Sequence, residues 1–488
     1  MTDPEKIAHL LRRFGMGAGT LEMAKYEPLG VQGTLDRLLN YDKVDEAFPI
    51  GPWEIAFEKD KSEVYADPGR FAAWWCLRLL MSERPLEQKL ALFWHSHLVV
   101  GADKVEFGPT MVEYLETLRV LGGGEFRTLL AAVSKTPAMI KYLDGDANFR
   151  GSPNENFGRE VMELFTLGIG HYSEDDVKNA ARAFTGFGLR FPVYEGGAEA
   201  VQARLRDGML KGNPMLVATY SPALHDDGPK TILGETKNFD CDEALSMLAG
   251  RAETAKHLGK KLFEFFAYRD PSPEVVDKVA AAFTASGGNI RKVLRAIAEM
   301  DEFWSEACVR RQVKSPVDFC VTVARQMNIK AYLLTLHKPD SPSTPLHDGI
   351  RGVGGMLLGL MSQQGMLLFF PPNVKGWDWG EAWITPNNMS ERMKLGNLLF
   401  SVGNPDKGLP TYIATLIKAK NPADDAQALE AWLQLFDAEV FSLEKKHLLL
   451  DAFKKAGGLA ALNTPDECST AQAAVARLVF GAPEFQLC

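Results

Sequence analysis

Pro85-Leu86-Glu87-Gln88-Lys89-Leu90-Ala91-Leu92-Phe93-Trp94-His95-Ser96-His97-Leu98-Val99-Val100 is the stretch that decides the fold class. Pro85 suits the first turn of a helix, where its missing N–H is not needed. Leu86, Leu90, Phe93, Trp94 and His97 then recur at helical spacing. Ala91, Leu92, Val99 and Val100 lie on the other side, so the predicted helix is apolar almost all round. Such a helix belongs at the centre of a protein built from helices.

Working outward, the spacing predicts a helix from about Asn156 to Leu167, stopped by Gly168 and Gly170. Ser173-Glu174-Asp175-Asp176 reads as a capping box ahead of a buried stripe of Val177, Ala181 and Phe184, with Gly186 at the end. Asn289 caps a helix carrying Ile290, Val293, Leu294 and Ile297, and Ser315-Pro316 opens another with Val317, Cys320, Val321 and Ala324. The stretch near residues 187–234 breaks this pattern. It holds Gly188, Gly196, Gly197, Gly208, Gly212 and Gly228, with Pro192, Pro214, Pro222 and Pro229, and Met215 to Tyr220 reads as a strand. A second loop-rich stretch runs from about Phe369 to Asn388. The expected architecture is mainly α, a large multi-helix globular fold with a short irregular, β-containing insertion. It divides into an N-terminal helical half (1–186), the insertion (187–234) and a C-terminal helical half (235–488), or forms one continuous domain.

Of the 488 residues, 46% are hydrophobic and 24% charged, ordinary proportions for a globular chain. The formal net charge is -9 and no basic stripe appears, so nucleic acid and acidic membrane surfaces are not expected partners. The longest apolar runs, such as Met366 to Phe370, are too short to span a bilayer. Cys76, Cys241, Cys308, Cys320, Cys468 and Cys488 are scattered without a C-x-x-C pair, which argues against a thiolate zinc site or a disulfide framework. Met1 to Lys6 does not read as a secretory signal, and Arg12-Arg13 is followed by Phe14 to Gly19 rather than an apolar core, so no export signal is expected. The cytoplasm is the expected compartment. No phosphate-binding loop, H-E-x-x-H or G-x-S-x-G is present, and no strand precedes Gly15, Gly17 and Gly19.

Several segments together carry a family resemblance. They include His9-Leu10-Leu11-Arg12-Arg13-Phe14-Gly15, Phe93-Trp94-His95-Ser96-His97 and Pro153-Asn154-Glu155-Asn156-Phe157-Gly158-Arg159-Glu160-Val161-Met162-Glu163-Leu164-Phe165-Thr166-Leu167-Gly168. Ala180 to Phe187, His225-Asp226-Asp227-Gly228-Pro229-Lys230, Pro371-Pro372-Asn373-Val374-Lys375-Gly376-Trp377 and Gly481 to Gln486 follow in order. In these segments the chain resembles the DUF1800 family over nearly its whole length. The resemblance implies a largely helical fold and a set of motifs, but no defined activity.

Each motif has a chemical and a structural reading. At about 100° per residue, Asn156, Arg159, Glu160 and Glu163 share one helix face, opposite Phe157, Val161, Leu164 and Phe165. Glu160 and Glu163 can act as metal ligands or as an acid and base, with Arg159 orienting an anion. Asn154 and Asn156, at the helix start, suit substrate binding. The structural alternative is an ion network with Arg159 bracing loops. His95 and His97 are two apart and cannot face one ion from a regular helix. A histidine on an apolar face is commonly a hydrogen-bonded core residue, and the family pattern favours His97 if either is functional. In the turn from His225 to Lys230, His225 can be a ligand or base, Asp226 a ligand and Lys230 an anion contact. The alternative there is an Asx turn with a solvated lysine. Trp377, Trp379 and Trp383 offer a ligand platform, or they pin the loop by burial.

The leading expectation is a metal-dependent, hydrolase-like enzyme. Glu160, Glu163, His225, Asp226 and His97 would hold Zn, Mn or Fe, and Glu160, Glu163, His225, Arg159 and Lys230 would carry catalysis. Asn154, Asn156 and Trp377 would contact the substrate. The first alternative is a non-catalytic binding or assembly protein whose polar cluster is structural, with a small molecule or a protein as partner. The second is a non-haem iron redox protein.

Overall fold

The computed structural model describes residues 1–58, 61–64, 66–190, 216–339, 344–400 and 408–488. The central helix spans Pro85–His97, and all of its residues except Ser96 are buried. It is shorter than the apolar spacing predicts. Leu98 caps it through a 2.7 Å bond from its N–H to the Trp94 carbonyl, and Val99 and Val100 lie beyond the end. Around it the Trp94 ring stacks on Phe126 at 5.7 Å, and its indole N–H donates to the Gly122 carbonyl at 2.8 Å. Indoles and phenyl rings bury large apolar areas, and here a ring with a polar edge also satisfies a loop carbonyl.

The local start signals work as read. Ser173 and Asp176 complete a capping box for Glu174–Ala183, Asn289 caps Ile290–Glu299, and Ser315 with Asp318 caps Pro316–Gln326. Helices then pack in pairs: Pro85–His97 on Gly108–Leu121, Asp348–Gln363 on Pro68–Met81, Ala252–Phe266 on Pro273–Ala285, and Pro386–Phe400 on Pro465–Gly481. One hydrophobic cluster contains Ile7, Trp75, Phe266, Trp432 and Phe485, so residues before and after the insertion share a core. Among the described residues no helix is long and apolar enough to cross a membrane.

The insertion is partly β, as expected. Phe187–Arg190 pairs antiparallel with Val217–Tyr220, Phe187 facing Tyr220. Lys230–Ile232 pairs with Glu235–Lys237 through Leu233 (φ +49°) and Gly234 (φ +80°), the left-handed pair a two-residue hairpin requires. Residues 191–215, with Gly196, Gly197, Gly208, Gly212, Pro192 and Pro214, lie outside the described residues. A further short hairpin, Phe57–Glu58 with Lys61–Val64, is not foreshadowed by the sequence reading.

Candidate functional site

The His225-to-Lys230 turn is latched to the end of helix Glu174–Ala183. His225 Nδ1 lies 3.0 Å from the Thr185 carbonyl and 3.2 Å from its hydroxyl. Asp226 accepts two bonds from Arg182, at 2.7 and 3.1 Å, and a third from the Gly228 N–H at 3.0 Å. The last is an Asx turn. The Arg182 bonds, followed by the Gly228 N–H, pull the Asp226 carboxyl down to about 2. Lys230 is neither solvated nor an anion contact. It is buried, and its ammonium donates to the Gly228 carbonyl at 3.0 Å and to Asn238 Oδ1 at 2.9 Å.

The glutamate helix is also arranged differently from the expectation. It is α-helical over Glu155–Glu160 and becomes a π-helix over Val161–Phe165. Asn154 caps it by accepting the Asn156 N–H, and Asn156 donates its amide to Asp144. Arg159 is bound to Glu174 through two 2.8 Å bonds and to Glu155 at 3.1 Å, so it braces two helices at the surface. Glu163 accepts the Tyr172 hydroxyl at 2.7 Å. Glu160 is half-buried; burial and then the neighbouring Glu163 raise its carboxyl, while Arg159 and Lys375 oppose the rise.

The end of the π turn explains His97, because the last carbonyls of a helix have no partner further along it. Widening the helix displaces the usual i to i−4 partners. Thr166 donates its hydroxyl to the Val161 carbonyl at 2.6 Å. The Gly168 N–H meets the Met162 carbonyl at 3.2 Å, and the carbonyls of Leu164 and Phe165 are met by imidazoles from outside. His97 Nε2 lies 3.1 Å from the Phe165 carbonyl, and His257 Nε2 lies 3.2 Å from that of Leu164. A carbonyl only accepts, so both rings carry their proton on Nε2. That leaves His97 Nδ1 as an acceptor, and Lys261 Nζ donates to it at 3.2 Å. Burial first, then the charge of Lys261, holds His97 neutral well below its usual range. His95 serves a different purpose. Its Nδ1 meets Tyr114 at 3.2 Å while Tyr114 donates to the Leu98 carbonyl at 2.6 Å, so His95 Nε2 is left to accept the Phe369 N–H at 3.3 Å.

A cleft of about 210 Å³ opens over this chain of bonds, lined by Phe93, Ser96, His97, Lys261, Glu264, Phe265, Arg269, Gln312, Lys375, Trp377, Asp378 and Trp379. Helix Pro85–His97 supplies one wall and helix Ala252–Phe266 another. The tryptophan loop closes the third. It can approach because Gly376 (φ +82°) sits where a Cβ would be 2.5 Å from the Ser96 carbonyl oxygen. Trp377 and Trp383 are buried, so the loop is pinned by indoles and Trp377 is not an exposed platform. Trp377 lies 5.3 Å from the His95 ring, and Trp379 packs against Phe265 at 4.9 Å. Arg269 donates to the Trp379 carbonyl at 2.6 Å. Desolvation lowers Lys261 from 10.5 to about 8. Among the described residues, no carboxylate forms an ion pair with it. The sequence reading missed Lys261, His257 and Arg269, which belong to none of the quoted motifs.

Only His97 and Trp377 of the expected site residues reach this cleft, with Glu160 within electrostatic range of Lys375 on its rim. His225, Asp226 and Lys230 are held by Thr185, Arg182 and Asn238 instead. The five expected metal ligands do not fit an ion. Both nitrogens of His97 are engaged, Asp226 is bound by arginine, and among the described residues no three His, Cys, Asp or Glu side chains gather closely enough to hold one.

A many-helix protein with a cleft at the end of a buried histidine helix is the class these features define. The chain belongs to the DUF1800 family, described as protein of unknown function, whose model matches residues 9–487. No curated protein and no solved structure matches the chain.

Proposed function

We propose that this protein binds a small organic ligand in the cleft over Lys261, and that the ligand carries an anionic group beside an apolar or planar body. One observation carries the reading: a largely desolvated lysine lines an open cleft, with a neutral imidazole as its hydrogen-bond partner and, among the described residues, no carboxylate in ion-pair contact, so that only the charge of Glu264 opposes its desolvation. A cation in that position is stabilised by an incoming anion. Lys375 and Arg269 add positive charge to the same walls, and Phe93, Phe265 and Trp379 offer ring surfaces. Of the two carboxylates in the lining, Glu264 is engaged elsewhere, 3.7 Å from Lys260 and accepting the Asp270 N–H. Asp378 is exposed.

The test is thermal unfolding with benzoate, pyruvate and glycerol phosphate, each against a neutral analogue of the same size. At a hundredfold excess over the dissociation constant, a ligand that binds only the folded chain stabilises it by about 2.7 kcal/mol. An anionic probe should raise Tm in the wild type, and Lys261→Met should abolish the rise. Equal rises in both proteins would place the anion elsewhere.

A further inference from the structure

We infer that the ε-amine of Lys261 is a nucleophile toward the carbonyl carbon of an anionic aldehyde or ketone, forming an imine in the cleft. This rests on the binding reading above and specifies the ligand's reactive group. The first support is geometric. The Phe165 carbonyl fixes the His97 tautomer, His97 Nδ1 takes one N–H of the amine, and both His97 and Lys261 line the cleft. An amine held in this way has lost much of the rotamer freedom that an exposed lysine keeps.

The second support is a comparison within the molecule. Lys89, Lys230 and Lys314 are buried, whereas Lys261 keeps partial exposure in the cleft. Lys89 donates to the carbonyls of Arg12 and Gly15, and Lys230 to that of Gly228. Lys314 donates to the Phe485 carbonyl at 2.8 Å and sits 3.9 Å from the centre of the Phe485 ring. Lys261 differs from these three in facing a cleft roomy enough for a small organic molecule. Desolvation favours the free amine, lowering Lys261 to about 8, and leaves roughly a tenth of it neutral at pH 7. Lys314 is lowered to the same value but has no such space, so it is an internal control.

The step balances without an oxidant or reductant. The nitrogen lone pair forms the C–N bond as the carbonyl π pair moves to oxygen. The alkoxide oxygen takes a proton while the nitrogen gives one to water, which leaves a carbinolamine. Its hydroxyl takes a second proton and departs as water with the C–O electron pair, as the nitrogen lone pair forms the C=N bond, and the last proton on nitrogen passes to water to give the imine. Lys375 and Arg269 on the walls suit the ligand's carboxylate or phosphate.

The experiment treats the full chain with pyruvate and cyanoborohydride, which reduces the imine to a stable secondary amine, and maps the modified lysines by peptide mass spectrometry. Acetone is the neutral control. The expected result is labelling at Lys261 at least about tenfold above Lys314 and the exposed lysines, dependent on pyruvate and weaker with acetone. Lys261→Arg keeps the cation, so it should retain the anion-induced rise in Tm and lose the label. Lys261→Met serves if the arginine variant fails to fold. Labelling spread over surface lysines with Lys261 unmodified overturns the imine. If the Lys261-dependent rise in Tm persists in that case, the binding reading stands alone; if it is missing too, both fall.

Discussion

Lys261→Met keeps an unbranched apolar stem and removes the terminal ammonium, so it isolates the effect of a desolvated charge. Burial lowers Lys261 from 10.5 to about 8. Between those values the unfolded chain binds a proton that the native protein does not, and native stability therefore rises with pH across that window. Below about pH 8 the destabilisation is fully present, with an upper bound on the order of 3 kcal/mol. Going from pH 7 to about pH 9.5 recovers about 2 kcal/mol of it. Lys261 keeps some exposure in the cleft, and water there trims the figure to between about 1 and 2 kcal/mol. Urea unfolding of both proteins, followed by circular dichroism at intervals from pH 7 to 9.5, reads it directly. Lys314 and the surface lysines titrate in both proteins and cancel in the difference. The wild type should gain on Lys261→Met by that amount as pH rises. Parallel curves, or a wild type that loses ground, would show that Lys261 is not desolvated in the native state.

Three further outcomes follow from the same geometry. Gly376→Ala places a Cβ against the Ser96 carbonyl at a left-handed φ, and should cost about 2 kcal/mol or more in urea unfolding while opening the cleft; a neutral effect would mean the loop does not seat there. Asp226→Asn should lower stability at pH 7 by about 1 kcal/mol, since Arg182 is partly exposed. The carboxylate's contribution is present above the ordinary aspartate range and is lost as pH falls from about 4 towards 2, so the variant's acid limb should be flatter over that interval; identical limbs would refute the pairing. Equimolar Zn²⁺, Mn²⁺ or Fe²⁺ should change Tm equally in wild type and in His225→Ala, and a rise confined to the wild type would restore His225 as a ligand.

How much of this was legible depends on the range of the interaction. The caps at Ser173, Asn289 and Ser315 join residues three apart, so their chemistry is written in adjacent letters. The face shared by Asn156, Arg159, Glu160 and Glu163 was a sound reading of a regular helix, but it could not show what that face would meet. Gly158 decides that. A Cβ there would be 3.2 Å from the Val177 carbonyl oxygen, so the helix lies close on Glu174–Ala183. Arg159 then reaches Glu174 across the junction, while Glu160 sits within electrostatic range of Lys375 instead. The π turn at Val161 rotates Glu163 out of the register the 100° rule assumes, and the Leu164 and Phe165 carbonyls, left without partners where the helix ends, are the ones that His97 and His257 meet.

Lys261 shows why the remainder was not legible. Lys260 and Lys261 are adjacent and chemically identical in the sequence, and 100° of helix rotation separates their fates. Lys260 is exposed beside Glu264 at 3.7 Å. Lys261 turns inward to an imidazole from a helix more than 160 positions earlier in the chain. Only tertiary packing distinguishes them. The recognisable motifs in turn mostly hold the cleft's surroundings in place: His95 grips the Phe369 amide, Gly376 admits the tryptophan loop, and Arg13 donates to the Phe266 and Ala267 carbonyls at the end of the Lys261 helix. Changes at those positions should therefore impair ligand binding through the shape of the cleft, and be accompanied by loss of stability. Lys261→Met should impair binding without that loss at pH 7, because removing a desolvated charge offsets the hydrogen bond it gives up. That contrast, binding lost with stability kept against binding lost with stability lost, separates the group that meets the ligand from the residues that hold it there.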